Sequence, residues 1–248
     1  MPPRPDRAAR DPLARRFTRG ERWVHRTTAV LVGVLLVTAA ILYVAPLSQL
    51  VGRRNLVATI HVYAGLALPL PFLVGWVRSA ALRADVRRLN RFLPTDWAWL
   101  RSAQRRSGRI PVGKFNAGQK LNGAFTIGAI LVMLMTGSVM HWTGWFPLSW
   151  RTGATFVHDW LAFAVAVVVA GHAYMAWNDP VARLGMRTGW VPLSWVRREH
   201  GGWTPDVTDE DDRTDETDED DGQAASSPDD RGTAARSRSR MPPPRSTR

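Results

Sequence analysis

The sequence predicts an all-α membrane protein, a bundle of four transmembrane helices with both termini on the cytoplasmic side. Three observations predict it. Four apolar blocks each approach the roughly 20 residues needed to cross a hydrocarbon core. Trp and Tyr gather near the ends of those blocks, as expected for side chains settling at headgroup level. Basic residues are shared unequally between the connections. The mean hydropathy of the 248 residues, −0.17, would alone suggest a soluble protein. That average conceals a segregation: apolar residues sit in long runs, charges between and beyond them. A soluble four-helix bundle would need a polar face on each helix, which these runs lack.

Taken in order, residues 1–15 are Pro- and Arg-rich and predict a flexible start, followed by an interfacial turn through Arg16-Phe17-Thr18-Arg19-Gly20-Glu21-Arg22. The first span runs from about Trp23 to Tyr43. It reads as a retained helix, because the Arg-rich segment before Ala29 is too long and too charged for a signal-peptide n-region and no A-x-A-like site follows. The second span covers Leu56 to Val77, with a kink at Pro69 and Pro71, each of which removes a backbone donor. The third covers Leu121 to Trp142 and the fourth Thr155 to Trp177. Residues 16–200 thus form one domain. Residues 201–248 hold 13 of the 21 acidic residues, and the run from Thr208 to Asp221 has almost no apolar content. Such a tail cannot bury enough surface to offset its ordering entropy and is expected to be disordered.

Without that tail the chain carries 26 basic and 8 acidic side chains. On a soluble protein this balance would suggest nucleic acid; here the basic residues flank apolar runs and orient the chain instead. Eight lie in the N-terminal segment through Arg26 and eleven between Arg78 and Lys120, against two in 46–55 and one in 143–154. The Lys/Arg-rich side is cytoplasmic, so both termini and the long middle connection are expected there. Cysteine is absent, which excludes disulfides, thiolate-ligated iron–sulfur clusters and covalently attached c-type haem.

Six histidines remain as metal-binding candidates: His25, His61, His141, His158, His172 and His200. A single histidine in a membrane helix can simply hydrogen-bond a neighbour. His158 and His172, however, lie fourteen residues apart on one helix. At about 100° and 1.5 Å per residue they share a face to within about 40° and sit about 21 Å apart, a separation that suits two haems stacked across a bilayer. Counting crossings supplies their partners. His25 and His172 meet at the cytoplasmic side, His61 and His158 at the outer side. Two imidazoles on one iron leave no open position for oxygen chemistry, so bis-histidine b haems point to electron transfer. His141 competes at the outer side, next to the interfacial Trp142, and His200 is expected to be solvated. Gly33, Gly65, Gly123, Gly128, Gly137 and Gly171 allow either close helix approach or a flat porphyrin against bare backbone. Arg16, Arg19, Arg22 and Arg26 set topology and could also pair with haem propionates.

The residues Arg16-Phe17-Thr18-Arg19-Gly20-Glu21-Arg22-Trp23-Val24-His25, His61-Val62-Tyr63-Ala64-Gly65, Lys114-Phe115-Asn116-Ala117-Gly118-Gln119-Lys120, His158-Asp159-Trp160, His172-Ala173-Tyr174-Met175 and Gly185-Met186-Arg187-Thr188-Gly189-Trp190-Val191 resemble the cytochrome b (gamma) subunit of respiratory membrane-bound formate dehydrogenases over roughly residues 15–200. The Phe-Asn-Ala-Gly-Gln-Lys segment is the discriminating part, since hydrogenase and thiosulfate-reductase cytochromes share the histidine arrangement. The resemblance implies an electron-transfer subunit in a bacterial inner membrane, with no substrate-oxidising site of its own. It implies an iron–sulfur beta subunit and a catalytic alpha subunit as partners. Two b haems would be held by His61 and His158 (outer) and His25 and His172 (inner). Menaquinone or ubiquinone would be reduced in a pocket of Asn116, Gly118 and Gln119 beside His172. Arg26, where an aromatic residue is expected, and the acidic tail depart from the pattern. Asn116 and Gln119 could equally cap the third helix. Two other readings stay open: the same cytochrome serving a hydrogenase or another molybdoenzyme, and a haem-free membrane anchor or transporter.

Overall fold

The computed structural model describes residues 11–105 and 107–208. Of the flexible start expected at residues 1–15, residues 1–10 lie outside the described residues, as does the tail from residue 209, whereas Leu13–Arg15 form a strand. Four helical segments are long and apolar enough to cross a membrane: Arg19–Tyr43, Arg54–Arg78, Ala117–His141 and Leu148–Trp177.

Strand β1 (Leu13–Arg15) leads into α1 (Arg19–Tyr43). The helix starts four residues before the apolar block because Thr18 caps it. Thr18 Oγ1 accepts from the Glu21 amide at 3.3 Å, and the Thr18 amide donates to Glu21 Oε2 at 2.7 Å. This reciprocal capping box satisfies two otherwise orphaned donors, so most of the expected interfacial turn is the first turn of the helix. A short helix α2 (Ala45–Val51) follows, ended by Gly52 in the left-handed region at φ 65°.

The second span is two helices, α3 (Arg54–Ala67) and α4 (Leu70–Arg78). The break falls at Leu68–Pro69, where the sequence predicts a kink: Pro69 and Pro71 have no amide hydrogen to donate. The ladder tightens there, Leu68 donating to Gly65 O at 3.2 Å, and resumes with Leu73 donating to Pro69 O at 3.0 Å. The connection to the third span contains α5 (Ala80–Leu89), capped by Ser79 Oγ, and α6 (Pro94–Arg101), whose Asp96 Oδ2 accepts from the Leu93 amide at 2.7 Å. Then come α7 (Ala117–His141) and α8 (Leu148–Trp177). The latter begins seven residues before the expected span. Those residues, carrying Arg151 and Gly153, are helical but not apolar enough to read as membrane. Helix α1 packs on α3 and α4, α7 on α8, and α3 on α7.

After α8 the chain forms α9 (Pro180–Thr188), strand β2 (Trp190–Pro192), α10 (Leu193–Glu199) and strand β3 (Val207–Thr208). Strand β1 lies between β2 and β3, antiparallel to both, with Ala14 opposite Val191 and Val207. Residues 201–208, expected to begin a disordered tail, therefore include a paired strand. The two ends of the four-span unit consequently meet on one side. Gly189 makes the joint possible. It turns at φ 96°, its carbonyl accepts from the Arg16 and Phe17 amides, and a Cβ there would stand 2.5 Å from Phe17 O.

The buried core sits mainly in this cap rather than in the spans. One cluster joins Ala14, Val191, Trp195 and Val196; a second joins Trp99, Val112 and Ala117. His200, expected to be solvated, is 3% exposed. Its Nδ1 lies 2.6 Å from Gly113 O and its Nε2 3.2 Å from Arg16 Nη1. A carbonyl only accepts and a guanidinium only donates, so the ring is neutral with Nδ1 protonated. Burial, then the adjacent Arg16 charge, lowers its pKa to about 4. Burial likewise lowers the Arg16 guanidinium to about 10, opposed by the fields of Asp179 and Asp85.

This predicts an acid limb of stability. The unfolded chain protonates His200 near pH 6.5 and the folded chain only near 4, so unfolding takes up a proton between those values. Stability falls as pH drops through that window, by about 3 kcal/mol at its lower end. Unfolding midpoints of detergent-solubilised protein at pH 6.5 and 4.5 measure the effect, and His200→Asn should flatten the difference. An unchanged slope in the variant would assign it to other groups.

Candidate functional site

Four of the six histidines form two pairs, one near each end of the bundle. His25, in the second turn of α1, faces His172 near the end of α8, their ring centres 6.2 Å apart. His61 on α3 faces His158 on α8 at 6.4 Å. A metal bound by one nitrogen of each ring from opposite sides, at about 2.0–2.1 Å per bond and with roughly 1.1 Å from nitrogen to ring centre, separates the centres by about 6.2–6.4 Å. Both pairs match that spacing. His141 joins neither pair; it ends α7, packed edge-on against Trp142 at 5.5 Å. Among the described residues no group of three or more His, Cys, Asp or Glu side chains could hold a metal ion. The histidines come in twos, the number that a bis-histidine haem would take from the protein.

The pair on α3 and α8 has partners that sequence reasoning missed. Thr38 Oγ1 lies 2.8 Å from His61 Nδ1, and Thr136 Oγ1 lies 2.9 Å from His158 Nδ1. Both threonines are buried within spans otherwise short of buried residues. The only sequence signal was a threonine in an apolar helix at the depth of a histidine on the next one.

The glycines divide into two groups. A Cβ on Gly137 would lie 3.3 Å from the His158 ring, and one on Gly75 would lie 2.4 Å from Val24. Those two permit close approach. Gly33, Gly128 and Gly171 would meet nothing within 4 Å, and Gly65 and Gly123 only ordinary contacts at 3.8 Å. Helix-to-helix proximity therefore does not account for Gly33, Gly128 or Gly171. Of the arginines near His25, Arg22 and Arg26 donate to the Arg187 carbonyl at 2.6 and 2.9 Å and so cap α9.

Lys114 to Lys120 forms a fastened platform on the His25/His172 side. Lys114, 9% exposed, pairs with Asp85 of α5, and its ammonium stands 3.8 Å from Glu21 Oε1. Lys120 reaches Asp96 of α6 at 2.6 Å and the Arg91 carbonyl at 3.0 Å. Removing one partner of such a buried pair leaves an uncompensated charge, typically at a cost of about 3–5 kcal/mol. Between the lysines, Asn116 caps α7. Its Oδ1 accepts from the Gln119 amide at 2.9 Å, and Gln119 Oε1 accepts from the Asn116 amide at 3.0 Å. Both side-chain oxygens are thereby occupied, while both NH2 groups are without a hydrogen bond among the described residues. Gly118 packs against Trp99, where a Cβ would lie 3.4 Å from the indole.

A model of the family described as prokaryotic cytochrome b561 matches residues 16–184. The formate dehydrogenase cytochrome b556(fdo) subunit of Escherichia coli (strain K12) is 26% identical over 204 residues, covering 77% of this chain and 92% of that protein. The formate dehydrogenase cytochrome b556 subunit of Haemophilus influenzae is 24% identical over 175 residues, 63% of this chain and 66% of that protein, just under two thirds of its length. The nitrate-inducible cytochrome b556(Fdn) subunit of Escherichia coli (strain K12) is 27% identical over 99 residues, 39% of this chain and 46% of that protein.

Proposed function

Since this chain belongs to the prokaryotic cytochrome b561 family, and is a multi-pass membrane haem b protein with an electron-transfer role, we propose that it is the quinone-reducing subunit of a formate dehydrogenase-like complex. In this reading it lies in a bacterial inner membrane with both termini cytoplasmic. Electrons arrive from an iron–sulfur partner on the outer side, cross through two b haems, and reach menaquinone or ubiquinone near the cytoplasmic face. One observation carries the reading: two histidine pairs, at opposite ends of one four-helix bundle, with the same one-metal spacing.

Haem b supplies a reversible one-electron centre where it is bound. The chain's own residues do the rest. His61 and His158 present Nε2 to the outer site, because Nδ1 of each is engaged by a threonine. His25 and His172 face each other at the inner site, with the platform 114–120 on the same side. The Asn116 and Gln119 amides have donors for a quinone carbonyl, and the bare backbone at Gly118 lets Trp99 pack closely beneath them. Lys114 and Lys120, held by Asp85 and Asp96, keep this platform rigid, which positions those donors.

A pyridine-haemochrome assay of the purified chain should return haem b alone, two per polypeptide. No haem at all would favour a membrane anchor or transporter, and one would break the two-site reading. Orientation has its own test. Reporter fusions after Arg88 and after Arg151 should report cytoplasmic and outer locations respectively, and matching signals would overturn the topology.

A further inference from the structure

We propose that Thr38 and Thr136 are positioning residues that lock His61 and His158 into one tautomer and hold the outer haem's reduction potential below the value bare imidazoles would set. The proposal rests on His61 and His158 being the outer axial ligands.

The hydrogen-bond geometry admits one assignment of protons. Thr38 Oγ1 lies 2.7 Å from Val34 O and 3.1 Å from Leu35 O, as well as 2.8 Å from His61 Nδ1. Thr136 repeats the arrangement, 2.8 Å from Val132 O, 3.3 Å from Met133 O and 2.9 Å from His158 Nδ1. A hydroxyl has a single proton and two lone pairs, and a backbone carbonyl can only accept. The hydroxyl proton is therefore directed to the carbonyls one turn back, and a lone pair faces the imidazole. Nδ1 must then carry the ring's proton and donate it to the threonine oxygen, leaving the Nε2 lone pair for a metal. Each ligand is oriented by a chain of two hydrogen bonds that ends on its neighbour's helix backbone.

Burial adds weight. Thr38 is 7% and Thr136 5% exposed, so neither hydroxyl is exchanged for water. Other helical threonines make the same bond to the preceding turn, Thr27 and Thr155 among them, without meeting a ring nitrogen. The inner pair lacks the device: among the described residues neither His25 nor His172 has a hydrogen bond to its ring. The protein thus treats its two sites differently although their ring spacings agree.

Donation from Nδ1–H places partial negative charge on the ring and makes Nε2 a stronger donor to the metal. A stronger donor favours the oxidised over the reduced iron, so the outer midpoint falls. Thr38→Val and Thr136→Val remove the hydroxyl while keeping the branched shape. Each should raise the outer midpoint and leave the inner one in place. A roughly tenfold shift in the oxidised-to-reduced preference, at the lower end of outer-shell effects, corresponds to about 59 mV for a one-electron couple.

The test is a redox titration of the full chain in membranes, followed at the haem bands, with low-temperature EPR of the oxidised protein. Thr38→Ser and Thr136→Ser retain the oxygen and should restore both the midpoint and the wild-type EPR g-anisotropy. An outer midpoint unmoved in both valine variants, with haem content intact, overturns the proposal. If a valine variant loses haem, restoration by the serine variant supports it and failure of that restoration overturns it. The ligand assignment fails separately, and is recognised separately: His61→Ala would then retain both haems.

Discussion

Replacing His158 or His172 with alanine should remove one haem each, and not the same one. Fourteen residues of helix put about 21 Å between the two side chains, so no single macrocycle is ligated by both. Each faces a different helix: His158 faces His61 of α3, and His172 faces His25 of α1. If each pair holds one haem, losing one imidazole would leave that iron a single histidine, since His141 lies outside both pairs. Haem content should fall from two per chain to one in each variant. A redox titration should lose a different midpoint in each. If both variants lose the same midpoint, the pairing is wrong.

Asn116→Ala should slow quinone reduction by roughly tenfold to a hundredfold while both haems stay in place. The amide NH2 is the donor left over once Oδ1 has capped α7. Losing a hydrogen bond to a partly buried carbonyl costs on the order of 1–3 kcal/mol. Alanine also removes the cap, which by itself costs roughly 1 kcal/mol of helix stability. The two effects separate with Asn116→Ser, which keeps a capping oxygen but has no amide. If the donor matters, serine is as slow as alanine. The measurement is the rate at which a quinone reoxidises dithionite-reduced protein, read beside the haem spectrum. Unchanged reoxidation in both variants would leave Asn116 as a helix cap and move the quinone site elsewhere.

What the sequence disclosed follows from the range over which its signals act. The spans are written locally, as apolar runs of about 20 residues, and the break at Pro69 is written in a single residue type. The histidine pairing could be reached by counting crossings, because membrane helices leave few ways to return. The cap is different. Strand β1 is three residues long, and its partners lie about 180 and 190 positions away. His200 looked solvated because its neighbours in sequence are charged, whereas its neighbours in space are Arg16 and Gly113. Lys114 and Lys120 read as orienting charges, yet Asp85 and Asp96 neutralise them internally. Thr38 and Thr136 were invisible because a threonine in an apolar helix carries no pattern of its own.

The three-stranded sheet also has a consequence in time. Its central strand leaves the ribosome before the four spans, and both of its partners leave after them. Residues 13–15 therefore wait, unpaired, while the rest of the chain is threaded through the bilayer. They close onto β2 and β3 only when four crossings have returned the chain to its starting side; after an odd number of crossings β2 and β3 stand across the bilayer from β1. The sheet, and with it the buried Arg16–His200 contact, cannot form on a chain that has skipped a span. A few backbone hydrogen bonds are thus available only to a chain that has crossed an even number of times.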